Sequence, residues 1–377
     1  MGPYPHDAPP ATISASNPAG TDGFAFVEFA HPDSSALGAL FETMGFAAVA
    51  KHRHKELVLW RQGDVNVLAN AEPGSHAVAF AAEHGPCASA MGWYVVDAAH
   101  AFAHAVGAGA EPAALAAPQV ALDVPAIRGI GGSLIYFIDR AAGDAAYADF
   151  EWIGEPNRAA ATGLSYIDHL THNVQRGRMD LWSAFYEKIF GFRQIRYFDI
   201  EGKLTGLYSR AMTSPCAKIR IPINESADAR SQIEEYLRAY NGEGIQHIAL
   251  GCDDVYTSVD RLRERGLPFL APPPARYYEK IDARVPGHGE PLDRLAARGI
   301  LLDGEGVVAG ESTRVLLQIF SATVIGPIFF EFIQRKGDDG FGEGNFRALF
   351  ESIEEDQIRR GVLDPTVAAN PGVSSPA

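Results

Sequence analysis

The chain is short of cysteine, of positive charge and of uninterrupted apolar sequence, and each shortage closes off a class of protein. Its 377 residues include three cysteines, Cys87, Cys216 and Cys252, with no CxxC spacing. That excludes a disulfide-stapled scaffold and a cysteine-based zinc module, and leaves three reduced thiols that read as plain core residues. Lysine and arginine number 32 against 47 acidic residues, a net charge of −15 at pH 7. Nucleic acids and anionic membrane surfaces both ask for a basic face, so neither is an expected partner. The longest apolar stretch, Val315 to Ile333, is broken by Gln318, Ser321, Gly326, Pro327 and Glu331. It reads as two buried strands and a turn, not as a membrane span. Met1 to Pro10 has neither the basic nor the apolar region of a signal peptide, so a cytoplasmic protein is expected.

What is present is a repeat. Residues 1–20 and 365–377 are rich in Pro, Ala, Ser and Gly and are expected to be disordered tails. Between them the first half opens with a strand at Phe24 to Phe29, then a helix at Ser35 to Met44 closed by Gly45. The second half opens with a strand at Tyr166 to His172, then a helix at Met179 to Phe190 closed by Gly191. A second strand–Asp–helix–Gly pattern follows in each: Met91 to Val96, Asp97, Ala98 to Gly107, and His247 to Gly251, Asp254, Val255 to Gly266. Each half thus reads as two βαβββ units, joined by a linker over about Ala141 to Ala161. The expected fold class is α+β, with domains at 21–150 and 160–364. Each helix has one apolar stripe and must cover a sheet, leaving the other sheet face to curl around a cavity as an open antiparallel barrel.

The halves differ where it matters. Leu134-Ile135-Tyr136-Phe137-Ile138-Asp139-Arg140 matches Phe329-Phe330-Glu331-Phe332-Ile333-Gln334-Arg335, with one carboxylate in place of one aromatic residue. A lone buried carboxylate costs several kcal/mol or more unless it is paired or binds a cation. Aligned in the same way, His169 stands where the first half has Phe26, and His247 where it has Ala90 or Met91. Two imidazoles and one carboxylate with open positions are the ligand set of non-haem Fe(II) oxygenases. The candidate ligands are therefore His169, His247 and Glu331, in the second half alone. The plainer reading of Glu331 is an ion pair with Arg335. His172 is expected on the opposite strand face, and His288 in an exposed loop.

At these residues the chain resembles the 4-hydroxyphenylpyruvate dioxygenases of the vicinal oxygen chelate superfamily, over roughly residues 22 to 364. The resemblance is carried by Ile167 to Val174, Gly242 to His247, Gly299 to Gly304, Leu316 to Phe320 and Phe329 to Phe346, the last including Arg335-Lys336-Gly337-Asp338-Asp339-Gly340-Phe341-Gly342. It implies an Fe(II) enzyme that takes 4-hydroxyphenylpyruvate and O2 to homogentisate and CO2, in tyrosine and phenylalanine catabolism, and a homo-oligomer, tetramer or dimer. It further implies that Gln246 and Gln318 line the iron pocket and that Ser209, Asn224 and Gln232 hold the substrate phenol. By the same resemblance Pro222 belongs to the substrate pocket, and Phe320, Phe329, Phe341 and Phe346 are expected to form an aromatic wall. Read from its own spacing, Gln246 precedes a ligand and should face away from it. Glycines 340, 342 and 344 lead into a helix over Asn345 to Ile358, a lid or a cap. Hydroxymandelate synthases share fold, iron and substrate; Pro222, Asn224 and Phe346 follow the dioxygenase pattern. A metal-free ligand-binding protein of the same fold is the third reading, and the three retained ligands count against it.

Overall fold

A computed structural model describes residues 8–114, 116, 119–155, 161–201, 204–305 and 313–364. The first half runs β1 (Thr21–Ala30), α1 (Ser34–Thr43), β2 (Ala47–His52), β3 (Leu57–Gln62), β4 (Val65–Asn70), α2 (His76–His84), β5 (Cys87–Val95), α3 (Ala98–Gly107), β6 (Ala126–Arg128), β7 (Leu134–Asp139) and β8 (Phe150–Trp152). The second runs β9 (Leu164–Val174), α4 (Met179–Phe190), β10 (Arg193–Glu201), β11 (Gly206–Thr213), β12 (Arg220–Ser226), α5 (Gln232–Ala239) and β13 (Gly244–Cys252). It continues through α6 (Val255–Glu264), α7 (Ala275–Glu279), α8 (Ile281–Arg284), α9 (Leu292–Arg298), β14 (Leu301–Glu305), β15 (Arg314–Phe320), β16 (Phe329–Lys336) and α10 (Glu343–Arg359). No helix among the described residues is long and apolar enough to cross a membrane.

The caps repeat with the strands. Asp97 and Asp254 are the N-caps of α3 and α6, their carboxylates accepting from first-turn backbone N–H groups. Gly191 closes α4 with φ 70°, a conformation that glycine adopts without steric cost.

Each half forms one eight-stranded sheet, in orders β6-β7-β5-β1-β4-β3-β2-β8 and β10-β11-β12-β9-β13-β16-β15-β14. The sheets are mixed rather than purely antiparallel, because β12 pairs with β9 and β13 with β16 in parallel. A crossover helix followed by three alternating strands brings the last strand of a unit beside its first, running the same way. The second half carries both units in full. In the first half the last strand of the second unit, β7, lies parallel beside β5 in the same way, the counterpart of β14 is reduced to a bridge between Pro112 and Ile127, and an added strand, β8, pairs with β2. It lies inside the expected linker, which is therefore partly structured. Of the expected tails, 1–7 and 365–377 lie outside the described residues. Residues 8–20 are folded down: Asn17 is buried and bonds Thr21 at both its backbone N and O, and Ala11 N donates to Asp22.

The helix-facing sides of both sheets share one apolar core. Phe29 of β1 meets Phe330 of β16, and Trp93 of β5 packs on Phe190 of α4. A buried Asp22–Lys218 pair at 2.6 Å also joins the halves. The inner face of the first sheet is a separate core, with Phe26, Ala90, Leu134 and Tyr136 packed against Val120 to Leu122. Tyr136 Oη accepts from Ala121 N at 2.9 Å, and Gly92, lacking a side chain, lets the Phe26 ring lie across it. This interior is plugged.

One charge is left inside. Glu28 is buried, accepts from Asn70 Nδ2 through Oε1, and has no partner at Oε2. Burial pushes its carboxyl up to about 7, against the lowering pull of Asn70, Ser89 and Lys55. The group is raised above its unfolded value, so its contribution is complete below pH about 4.5 and is lost as pH rises through about 7. Glu28→Gln should flatten this. Between pH 5 and pH 8 urea denaturation should show the wild type losing ~2–3 kcal/mol more than the variant. Parallel pH profiles for the two would refute the assignment.

Candidate metal centre

The three candidate ligands come from adjacent strands at the centre of the second sheet. Ala249 of β13 lies opposite His169 of β9 on one side and Glu331 of β16 on the other. His247 is two residues back along β13, on the same face. All three side chains are buried. Nε2 of His169 is 3.2 Å and Nε2 of His247 is 3.5 Å from Glu331 Oε2, and one ligand atom from each residue lies within 4.8 Å of the others. Ligands ~2.0–2.2 Å from one cation fall at such separations. Two neutral imidazoles and a carboxylate fit a divalent transition metal with positions left open.

Two irregularities in the β9–β13 ladder set the orientation. Ile245 pairs with His172 and His247 with Thr171, so Gln246 is an extra residue on β13; Ala249 pairs with His169 and Leu250 with Ile167, so Asp168 is an extra residue on β9. Each bulge falls immediately before a candidate ligand and breaks the alternation that would send the two side chains to opposite faces. Asp168 Oδ1 thus reaches His169 Nδ1 at 2.8 Å, and Gln246 Oε1 reaches His247 Nδ1 at 3.0 Å. Both Nδ1 atoms are donors in these bonds, which frees both Nε2 atoms to coordinate. Gln318 Nε2 donates to Glu331 Oε1 at 2.8 Å and leaves Oε2 free. Each candidate ligand therefore has its own orienting partner. Thr171 Oγ1 lies 2.9 Å from His247 Nε2.

The charges follow. Burial would raise the Asp168 carboxyl, but Arg335, bonded to both its oxygens at 2.7 and 2.8 Å, holds it well below the usual range. Burial also opposes ionisation of Glu331, yet the two imidazoles bring it down to about 2. His169 is raised, burial being outweighed by Glu331 and Asp168, whereas in His247 burial wins and the value falls. Arg335 pairs with Asp168, not with Glu331.

The first half keeps the scaffold without the ligands. Gly92 lies opposite Phe26 and Tyr136, as Ala249 does opposite His169 and Glu331. Ala90, two residues before Gly92, answers to His247. Even the bulges persist: Ala25 is extra before Phe26 and Ser89 before Ala90.

A narrow cavity opens over the three candidate ligands. Ser209, Pro222, Gln318, Phe320, Phe341 and Phe346 line it, joined by Thr171 and Phe198, which the sequence reading did not single out. Phe341 stands edge-on to His169 at 5.4 Å, and Phe346 of α10 stacks on Phe198 of β10 at 5.5 Å. Phe329 does not line the cavity; it stacks on His247. Asn224 and Gln232 are buried but are not part of the lining, and Gln246 is turned to His247. Ser209, Asn224 and Asn173 lie side by side across β11, β12 and β9. Ser209 Oγ, Asn224 Oδ1 and both amide atoms of Asn173 are buried without partners. Asn173 was missed because an asparagine near a strand end carries no signal in one sequence. His172 bonds Tyr186 Oη at 2.7 Å, away from the ligands. His288 is covered rather than exposed, and bonds Asp282.

Comparison with known proteins adds relatives to this geometry. The family model described as hydroxyphenylpyruvate dioxygenase, N-terminal, matches residues 15–152, and that of the glyoxalase/bleomycin resistance protein/dioxygenase superfamily matches 166–289. The chain is 57% identical over 358 residues to a 4-hydroxyphenylpyruvate dioxygenase of Pseudomonas aeruginosa, covering 94% of this chain and 99% of that one. It is 53% identical over 351 residues to a 4-hydroxyphenylpyruvate dioxygenase of Pseudomonas sp. (strain P.J. 874), covering 92% and 98%. Among solved structures, a triple mutant of 4-hydroxymandelate synthase from Streptomyces coelicolor superposes with a TM-score of 0.73 at 26% identity, covering 89% of this chain and 99% of that one.

The orienting bonds generate a test. Gln246→Leu removes the acceptor of His247 Nδ1–H while keeping the side chain's bulk. Cobalt(II) titration should show affinity weakened by about tenfold or more, with the thermal midpoint within a few degrees of the wild type. Unchanged affinity would deny Gln246 that role.

Proposed function

The chain belongs to the 4-hydroxyphenylpyruvate dioxygenase family, and on that footing we propose that it converts 4-hydroxyphenylpyruvate and O2 to homogentisate and CO2 with Fe(II) held by His169, His247 and Glu331. One observation carries the reading: three buried ligand atoms converge at the floor of a cavity walled by phenylalanines, and each ligand is oriented by a partner of its own. The catalytic unit on this reading is residues 160–364, and the plugged unit at 21–150 is silent. Assembly into a homo-oligomer and a cytoplasmic location belong to the same proposal.

A ferrous ion bound there supplies the oxygen activation and Lewis acidity that oxidative decarboxylation of an α-keto acid requires. The protein's share is placement and shielding. Held by these three side chains alone, the ion would keep positions free for a keto acid and O2. One carboxylate leaves residual positive charge for an anionic substrate. Thr171 lines the cavity, its Oγ1 within hydrogen-bond distance of His247 Nε2. Phe320, Phe341 and Phe346 bound an apolar space for the ring and keep water out. Ser209 lines the cavity, and Asn224 and Asn173 continue its row behind the lining; their unpaired polar atoms cost stability unless a partner such as a substrate phenol reaches the row. Docked over the cavity, α10 is held by Glu354, whose carboxylate accepts from Thr205 N at 2.8 Å. We read it as a lid.

The hydroxymandelate synthase likeness keeps a second product in play. Iron-loaded protein given 4-hydroxyphenylpyruvate should consume O2 and yield homogentisate; 4-hydroxymandelate as the main product would overturn the reaction proposed. His169→Ala, His247→Ala and Glu331→Ala should each reduce turnover to background while the circular dichroism spectrum is kept. Asn224→Leu should lower kcat/KM for 4-hydroxyphenylpyruvate about tenfold and narrow its lead over phenylpyruvate, which lacks the hydroxyl. An unchanged ratio would remove Asn224 from phenol recognition.

A further inference from the structure

We propose that Arg335 is a positioning residue that couples the orientation of His169 to the docking of residues 338–342, the segment leading into α10. The inference rests on the metal site proposed above. Arg335 lies on β16 four residues beyond Glu331, and its side chain is fully buried. One edge of its guanidinium, Nε and Nη2, grips both oxygens of Asp168, at 2.7 and 2.8 Å. That carboxylate holds His169 Nδ1. The third nitrogen, Nη1, donates to the carbonyls of Asp338 at 3.0 Å and Gly340 at 2.7 Å. A single buried group thus holds a metal ligand's partner with one hand and the lid segment with the other.

A second arginine braces the same segment. Arg220 of β12, also buried, donates through Nη1 to Asp339 O at 3.0 Å and lies over the Phe341 ring at 5.7 Å. Between them the arginines fix three consecutive carbonyl-bearing residues and set Phe341 edge-on against His169. Glycines at 337 and 342 bracket the segment with φ of 85° and 71°, so its ends turn where other residues would be strained.

The coupling follows from what lifting the segment would do. Nη1 would lose both acceptors inside the protein, where an unmet donor is costly, and Phe341 would leave the His169 ring. The guanidinium would then be free to turn, and with it Asp168. Lysine could keep the charge opposite Asp168 but not the fork that reaches both sides at once. Because coupling free energies are reciprocal, a metal that fixes His169 must also favour the docked segment.

Hydrogen–deuterium exchange of the full chain, with and without cobalt(II), tests this without reference to turnover. In the wild type, cobalt should slow exchange of amides 338–344 by about tenfold or more. In Arg335→Lys the slowing should shrink below about twofold, and the cobalt dissociation constant should rise about 10- to 100-fold. Asp168→Asn should act in the same direction and serves if Arg335→Lys does not fold. Cobalt that binds the wild type without slowing the segment overturns the coupling alone. Arg335→Lys that is only less heat-stable, with the metal-dependent protection intact, also overturns it. Failure of the wild type to bind cobalt at all would sink the metal site and the coupling together.

Discussion

The structure of the site depends on where two strands fall out of step. β9 and β13 run antiparallel, and each gains one residue just before its histidine. In an unbroken ladder Asp168 and Gln246 would face away from their neighbours' imidazoles. The slips turn them back, so that two successive residues on each strand serve one ring. Nε2 is freed for coordination by the same local distortion that supplies the Nδ1 acceptor. Inside this cluster Arg335 outweighs the burial of Asp168 and the two imidazoles outweigh that of Glu331, which keeps both carboxylates ionised.

The first half separates the scaffold from its chemistry. It keeps the same pairings of its central strands, β1 with β5 and β5 with β7, and the same extra residues, at Ala25 and Ser89, yet the candidate ligand positions hold Phe26, Ala90 and Tyr136. The distortion therefore belongs to the fold and not to the metal. Once its ligand positions are apolar, such an interior is filled, here by Tyr136 and the Val120–Leu122 segment that its hydroxyl ties in. Glu28 remains as a buried acid beside that plug, pushed toward its neutral form.

Much of this was legible in the sequence. Glycine caps, the Asp-before-helix pattern and apolar spacing exposed the repeat, and the repeat singled out His169, His247 and Glu331 by contrast with Phe26, Ala90 and Tyr136. What sequence reasoning lost, it lost where a period broke. Gln246 was expected to face away from its neighbour because alternation says so, and a bulge is invisible in one sequence. Asp168 was passed over for the same reason, and Arg335 was weighed against Glu331, four residues away on its own strand, when its partner lies 167 residues away on another. β8 was hidden within a stretch rich in alanine and glycine, since a three-residue strand is defined by its partner β2 and not by its own pattern. The parallel pairings needed the count of strands after each crossover.

The shared core gives the half without candidate ligands a hold on the half that carries them. The helix-side faces of the two sheets are parts of a single apolar mass, with Phe29 on Phe330 and Trp93 on Phe190. A shortened chain carrying only the ligands would present that face to water. The half without candidate ligands is thus a foundation for the other: its sheet supplies the apolar surface against which the ligand-bearing sheet is packed.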